Sequence, residues 1–446
     1  MTTIPGDLNF SRPFDQHLWS DHHHVNALIE RLYDDFLNYK QYLRKPGKTK
    51  EKTPKATLKV ICLNLFSAWR VNPAFFTAIS CNTRDYSRHT RYRNTQITTR
   101  YLFPILDFLV DRGLIYRAKG YYDRGNNGGK VTRIIASGEL NHLMNDTYHL
   151  NGDMIERHPH SEQIILKDKD KRCIEYDDTE KTVLMRRNLA NINQALSATC
   201  IGFNAPPDIR KEIDELLKQD TLAYQKNSQG GLDFTRKSLT RIFNNSSFTQ
   251  GGRFYGGWWQ SVPNRRIKGR QYITIDDQKT VEIDYGGMQV MLLYHQLGKE
   301  IPTDDPYDLT GFLEGADRQS VKKAFFHLIF GEYDHRTRSP KRKPMKCPKD
   351  VKLPKGATYE MLLNALLEKH EVLETCMASD NIAIQLQYRD SVIAEEVLLR
   401  LLERNIIALP IHDSFIVKAE HRDDLITVMT EVFIKHVGVV PVLKVE

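Results

Sequence analysis

Cysteine is scarce in this chain: six residues among 446, at positions 62, 81, 173, 200, 347 and 376. No two have the close spacing of a zinc site or a redox motif, which leaves reduced thiols of a cytoplasmic protein as the expectation. Long apolar runs are also missing, so no segment reads as a membrane span, and the first residues show no signal-peptide pattern. Acidic residues are outnumbered, 56 Asp plus Glu against 64 Lys plus Arg, for a formal net charge of +8. That balance suits a polyanionic partner. The run His22-His23-His24 invites a metal, but no other ligand is near in sequence, and it reads as a solvated helix start.

What is present suffices for cores: 40% apolar and 10% aromatic residues, with 27% charged to keep the surface wet. The length suggests two or three domains. Residues 1–55 read as one amphipathic helix, with Ile29, Leu32 and Phe36 on one face, and a basic linker from Lys45 to Lys55. Residues 56–145 read as a winged helix-turn-helix domain. Its helices are Leu58–Trp69 and Thr98–Gly113, its strands begin at Leu114 and Val131, and a glycine-rich hairpin tip lies between them. Arg88, Arg91, Arg93 and Arg100, interleaved with tyrosines, are its candidate DNA contacts; the structural alternative is a domain that touches only protein. Residues 146–245 read as a linker and thumb-like helical region. Met185, Leu189, Ile192 and Leu196 mark a helix there.

Three stretches in the last part carry the chemistry. Val281 and Ile283 alternate with Glu282, the pattern of a half-buried strand that runs into Asp284, followed by Gly286 and Gly287. Asp317 to Gly331 reads as a helix with Arg318, Lys322, Phe326 and Phe330 four residues apart, hence on one slowly drifting face. Ile406 to Val417 reads as a hairpin whose polar tip is His412-Asp413-Ser414. Singly, each has a plain structural reading, the first as a strand-end cap.

Together and in this order, Asp-Tyr, Arg-x3-Lys-x3-Phe-x3-Phe-Gly and His-Asp-Ser resemble motifs A, B and C of the family A nucleic-acid polymerases. His295 and Gly298 fall where that family has them. Gly251-Gly252-Arg253 and Gln260-Ser261-Val262-Pro263 resemble its primer-template segment. The resemblance covers roughly residues 245–425 and implies an α+β right hand: palm and compact fingers in 246–446, thumb-like helices before them. It implies two Mg²⁺, or Mn²⁺ in their place, on Asp284, Asp413 and the carbonyl of Tyr285. Arg318, Lys322, Phe326, Phe330 and Gln289 would contact the incoming nucleotide. Arg253, Gln260, Gln387 and His412 would contact primer and template.

Three positions depart from the family's DNA polymerases. Gln289 replaces a glutamate that excludes ribose, Phe330 replaces a tyrosine, and Ser414 replaces a glutamate, as in single-subunit phage RNA polymerases. No acidic exonuclease cluster precedes the palm. The expectation is a monomeric DNA polymerase without proofreading, serving a phage, plasmid or other mobile element and using DNA and nucleoside triphosphates. An RNA polymerase or primase-like polymerase, and a non-catalytic replication initiator, are the alternatives. A basic, proline-rich loop over 336–355 could track a nucleic-acid strand or be merely solvated.

Overall fold

The computed structural model describes residues 6–40, 48–87, 90–123, 128–223, 231–330, 346–377 and 381–446. The fold is mixed α and β, and its contacts group into two compact units. One holds Met1–Ile165, Glu175–Thr240 and Tyr255–Thr280; the other holds Leu166–Ile174, Arg241–Phe254 and Val281–Glu446. The expected cuts after residues 55, 145 and 245 are not where this grouping divides the chain. Arg88, Gly331 and positions 336–345 of the basic loop lie outside the described residues.

In the first unit, the N-terminal segment is part of the core and not an appendage. Helix His23–Tyr39 buries Val25, Leu28, Ile29, Leu32, Tyr33, Phe36 and Leu37, an apolar stripe at helical spacing. They share a core with Leu58, Ile61, Leu65 and Phe66 of helix Lys48–Val71, so residues 48–55 of the expected linker are helical. A four-stranded sheet orders Ser11–Pro13, Phe76–Ile79, Thr132–Ala136 and Ile115–Ala118. Between positions 48 and 136 the elements run helix, strand, short helix Arg84–Ser87, helix Thr99–Asp111, strand, strand. A short ribbon, Tyr121–Asp123 with Gly128–Lys130, projects between the last two strands. Helix Thr99–Asp111 ends at Gly113, whose φ of +70° suits glycine. The Gly113 and Leu114 N–H groups bond the carbonyls of Val110 and Leu109, the paired bonds of a Schellman cap, and the chain turns straight into the strand.

Also in this unit, helix Glu180–Ala198 opens with a capping box between Thr179 and Thr182 and buries Met185, Leu189, Ile192 and Leu196. Strand Ile201–Phe203 pairs with Ile273–Ile275. A two-residue turn follows, with Asp276 and Asp277 both at positive φ as a type I′ hairpin requires. It launches the long strand Gln278–Gly286.

In the second unit, the last four residues of that strand pair antiparallel with Val442–Val445, Asp284 opposite Lys444. Strand Ser414–Lys418 neighbours it as well and forms a hairpin with Leu409–Ile411. Helix Arg422–Val437 backs the sheet: the Tyr285 hydroxyl donates to the Met429 carbonyl (2.7 Å) and its ring packs on Phe433. Helices Met288–Gln296, Arg318–Phe330, Tyr359–Lys369, Val372–Met377 and Ile382–Glu403 also belong to this unit. Between Tyr359–Lys369 and Val372–Met377 the helical path is interrupted. It breaks at His370, which is fully buried and bonded through its two ring nitrogens to the Tyr294 hydroxyl and the Pro306 carbonyl. No helix among the described residues is long and apolar enough to cross a membrane.

Candidate active site

Asp284 sits near the end of a strand because Ile283 and Tyr285 are drawn into the core, which turns the alternate residues Glu282 and Asp284 to the other face. Asp413 reaches the same place from the hairpin. Ile411 pairs with Ser414, so His412-Asp413 is a two-residue turn, and His412 takes the left-handed conformation (φ +59°) that tight hairpins need. The Tyr285 N–H donates to the Asp413 carbonyl at 3.3 Å, which ties the two motifs together through the backbone. Burial first, and then the Asp413 charge, push the Asp284 carboxyl up to about 7; Lys322 opposes this, and Glu282 and Glu446 add to it.

Lys322 thus faces the acidic pair from helix Arg318–Phe330. Arg318, one turn earlier, forms an ion pair with Asp305, Nη2 to Oδ1 at 3.0 Å. Both cations lie over the ring of Tyr307, at 5.2 Å for Arg318 and 5.9 Å for Lys322. Lys322 also lies 5.9 Å from the Phe326 ring. Tyr307 is 2% exposed and its hydroxyl has no hydrogen-bond partner among the described residues. Burial pushes that hydroxyl up, Arg318 opposes it, and the charges of Asp305, Asp413 and Asp284 add. A buried, unpartnered hydroxyl between cations and carboxylates is a costly arrangement unless a polar ligand enters. Phe330 ends the helix; its side chain lies outside the described residues.

Other expected contacts are placed differently. Gln289 is not open to the cleft: it is 4% exposed and its Nε2 donates to Asp390 Oδ2 at 2.7 Å. Asp390 also receives Arg253, whose Nε donates to both carboxylate oxygens (3.1 and 3.0 Å) and whose Nη2 donates to Oδ2. Burial holds the Asp390 carboxyl at about 6 even so, with Arg253 opposing and Asp413 adding. Arg253 and Gln289 therefore form a buried polar network and do not project as free side chains. Gln387 is half-buried on helix Ile382–Glu403, next to Gln385, which accepts from Gln296 Nε2 at 2.9 Å. His412 is half-buried at the hairpin tip. Gln260 belongs to the other compact unit, where its Oε1 accepts from the Gly256 N–H.

The arginine cluster of the first unit divides as well. Arg91 is an internal clamp: it pairs with Glu162, Glu175 and Asp178, donates to the Tyr176 carbonyl and stacks 3.6 Å from the Tyr176 ring. Its neighbours Glu162 and Asp178 also hold Arg186. Arg93 is half-buried, with Nη2 on the Ile97 carbonyl. Arg100 is exposed at the start of helix Thr99–Asp111.

Sequence reasoning missed Glu282, Asp305, Tyr307 and Asp390 as neighbours of the site. Only Glu282 had a signal, its two-residue offset from Asp284 on a strand. The other three arrive from loop and helix positions without a pattern. No protein-family model matches the chain, and no curated protein matches its sequence.

Proposed function

We propose that the chain is a template-directed nucleic-acid polymerase of family A type, adding deoxynucleotides by two-metal nucleotidyl transfer. The observation that carries this reading is the juxtaposition of Asp284, near the end of its strand, with Asp413, in the turn of the neighbouring hairpin, with Lys322 facing them. The donor set fits hard divalent cations: carboxylate oxygens, with Asp284 pushed up to about 7 by burial first and then by the Asp413 charge. Two Mg²⁺, or Mn²⁺, on Asp284, Asp413 and the Tyr285 carbonyl would supply activation of a 3′-hydroxyl and neutralisation of the departing pyrophosphate. Arg318 and Lys322 bind the triphosphate oxygens, and the Tyr307 ring beneath both keeps them in place. Asp305 orients Arg318 until phosphate competes for it. Phe326 offers the base and sugar an apolar face.

The helix–strand–helix–helix–strand–strand order over 48–136 supports a winged helix that binds duplex DNA, with Arg100 at the start of its third helix. In this reading the chain is a replication protein of a phage, plasmid or mobile element, and it lacks proofreading. A second reading, ribonucleotide polymerisation, draws on one observation. Gln289 has its amide nitrogen bonded to Asp390, so the sugar gate carries no charge and is held by a partner behind it.

Primer extension with labelled dNTPs or rNTPs, with and without primer, tests both. Extension with dNTPs that EDTA abolishes supports the first reading. Preference for rNTPs moves the assignment to the second, and no synthesis with either substrate leaves a DNA-binding initiator.

A further inference from the structure

Glu282 is the acidic residue that the motif comparison leaves out. It lies two residues before Asp284 on the same strand and therefore on the same face. It is 7% exposed, and Ser414, directly after Asp413, is 4% exposed. The Ser414 hydroxyl donates to Glu282 Oε1 at 2.6 Å. One side-chain bond thus joins the strand that carries Asp284 to the hairpin that carries Asp413. The Tyr307 hydroxyl, 2% exposed and without a hydrogen-bond partner among the described residues, lies within reach of the charges of Asp284 and Asp413 and independently points to a polar ligand there.

We infer that Glu282 is a positioning residue of the cation site: its carboxylate, held by Ser414, sets the approach of Asp284 to Asp413 and adds a third negative charge for divalent cations. This rests on the polymerase reading of the site. The physical logic is that of carboxylates behind metal ligands, which fix orientation and raise the ligands' affinity without binding the metal themselves. The position of the charge also gives Ser414 a purpose. A carboxylate at 282 with a hydroxyl at 414 places the same two groups across the same gap as the reverse arrangement would.

The test uses the full chain, freed of metal, with Mn²⁺ alone as probe, read by electron paramagnetic resonance or calorimetry, and primer extension in parallel. Glu282→Gln keeps an acceptor for Ser414 but removes the charge. Mn²⁺ affinity should fall about tenfold, the lower end of what lost outer-shell partners cost. Ser414→Ala removes the bond that holds the carboxylate but keeps the charge, and should also lower Mn²⁺ affinity, by less than Glu282→Gln does. The exchanged double variant Glu282→Ser with Ser414→Glu should recover most of the affinity lost in Glu282→Gln. Unchanged Mn²⁺ affinity in Glu282→Gln, with affinity lost in Asp284→Asn, would overturn the inference and leave the site intact. Unchanged affinity in both variants would overturn the site itself. If Glu282→Gln does not fold, the exchanged variant decides alone: no Mn²⁺ binding by the folded double variant sinks the proposal.

Discussion

Asp284 shows how a single residue can be set against its own surroundings. Folding places its carboxyl in a partly buried position opposite another carboxylate, so the native chain holds that proton to about 7, against an ordinary 3.8. The folded state therefore binds more protons than the unfolded state between these values, and this group favours folding as pH falls through that window. In chelated protein, Asp284→Asn should raise stability above pH 7 by on the order of 2 kcal/mol, the gain shrinking toward pH 4. Thermal melts of both proteins across that range check the sign; a variant less stable than wild type at the alkaline end counts against it. In activity, Asp284→Asn or Asp413→Asn should lower nucleotide incorporation by roughly 10³-fold or more, because under the proposed mechanism each removes a ligand of the divalent cation. Gel shifts should find DNA binding largely intact. Incorporation surviving in both variants would mean that the metal assignment is wrong.

At the scale of elements, two networks behave differently from their sequence expectation. Arg91 locks the segment before helix Thr99–Asp111 to Glu162, Glu175, Tyr176 and Asp178, so its side chain is committed to internal partners. Arg91→Ala should cost about 1–2 kcal/mol, since Glu162 keeps Arg186 as a partner. Chemical denaturation measures this, and duplex affinity should change little. The other network, Gln289–Asp390–Arg253, joins the helix after Asp284 to helix Ile382–Glu403. Gln289 is held by a carboxylate behind it, so under the proposed function it would gate a sugar by volume. Discrimination against rNTPs should then be no more than roughly 10²- to 10³-fold, the range of small-group exclusion in pockets. Gln289→Ala should raise rNTP incorporation, read by competitive primer extension. A wild-type enzyme that prefers rNTPs would remove the gate.

For the whole molecule, the excess of basic residues predicts affinity for duplex DNA that falls with salt. A plot of log affinity against log salt has a slope of about −0.9 per phosphate contact. Arg100→Ala, at an exposed helix start, should flatten that slope by about one unit without shifting the melting temperature. A slope unchanged by this substitution would place the DNA contacts elsewhere.

The sequence alone determined whatever depends on local periodicity. The stripes of helices His23–Tyr39 and Glu180–Ala198, the alternation into Asp284 and the hairpin tip at Asp413 were all legible, because 3.6- and 2-residue spacings are written in the chain. The spacing of Arg318, Lys322 and Phe326 was legible for the same reason. Only the tertiary structure decided which polar groups meet. That Arg91 serves Glu162 and Asp178, that Arg253 and Gln289 turn to Asp390, and that His370 breaks a helix to reach Tyr294 are long-range pairings. Each is set by the need of a buried polar group for a partner, and that partner lies dozens of residues or more away, beyond any repeat the sequence could display.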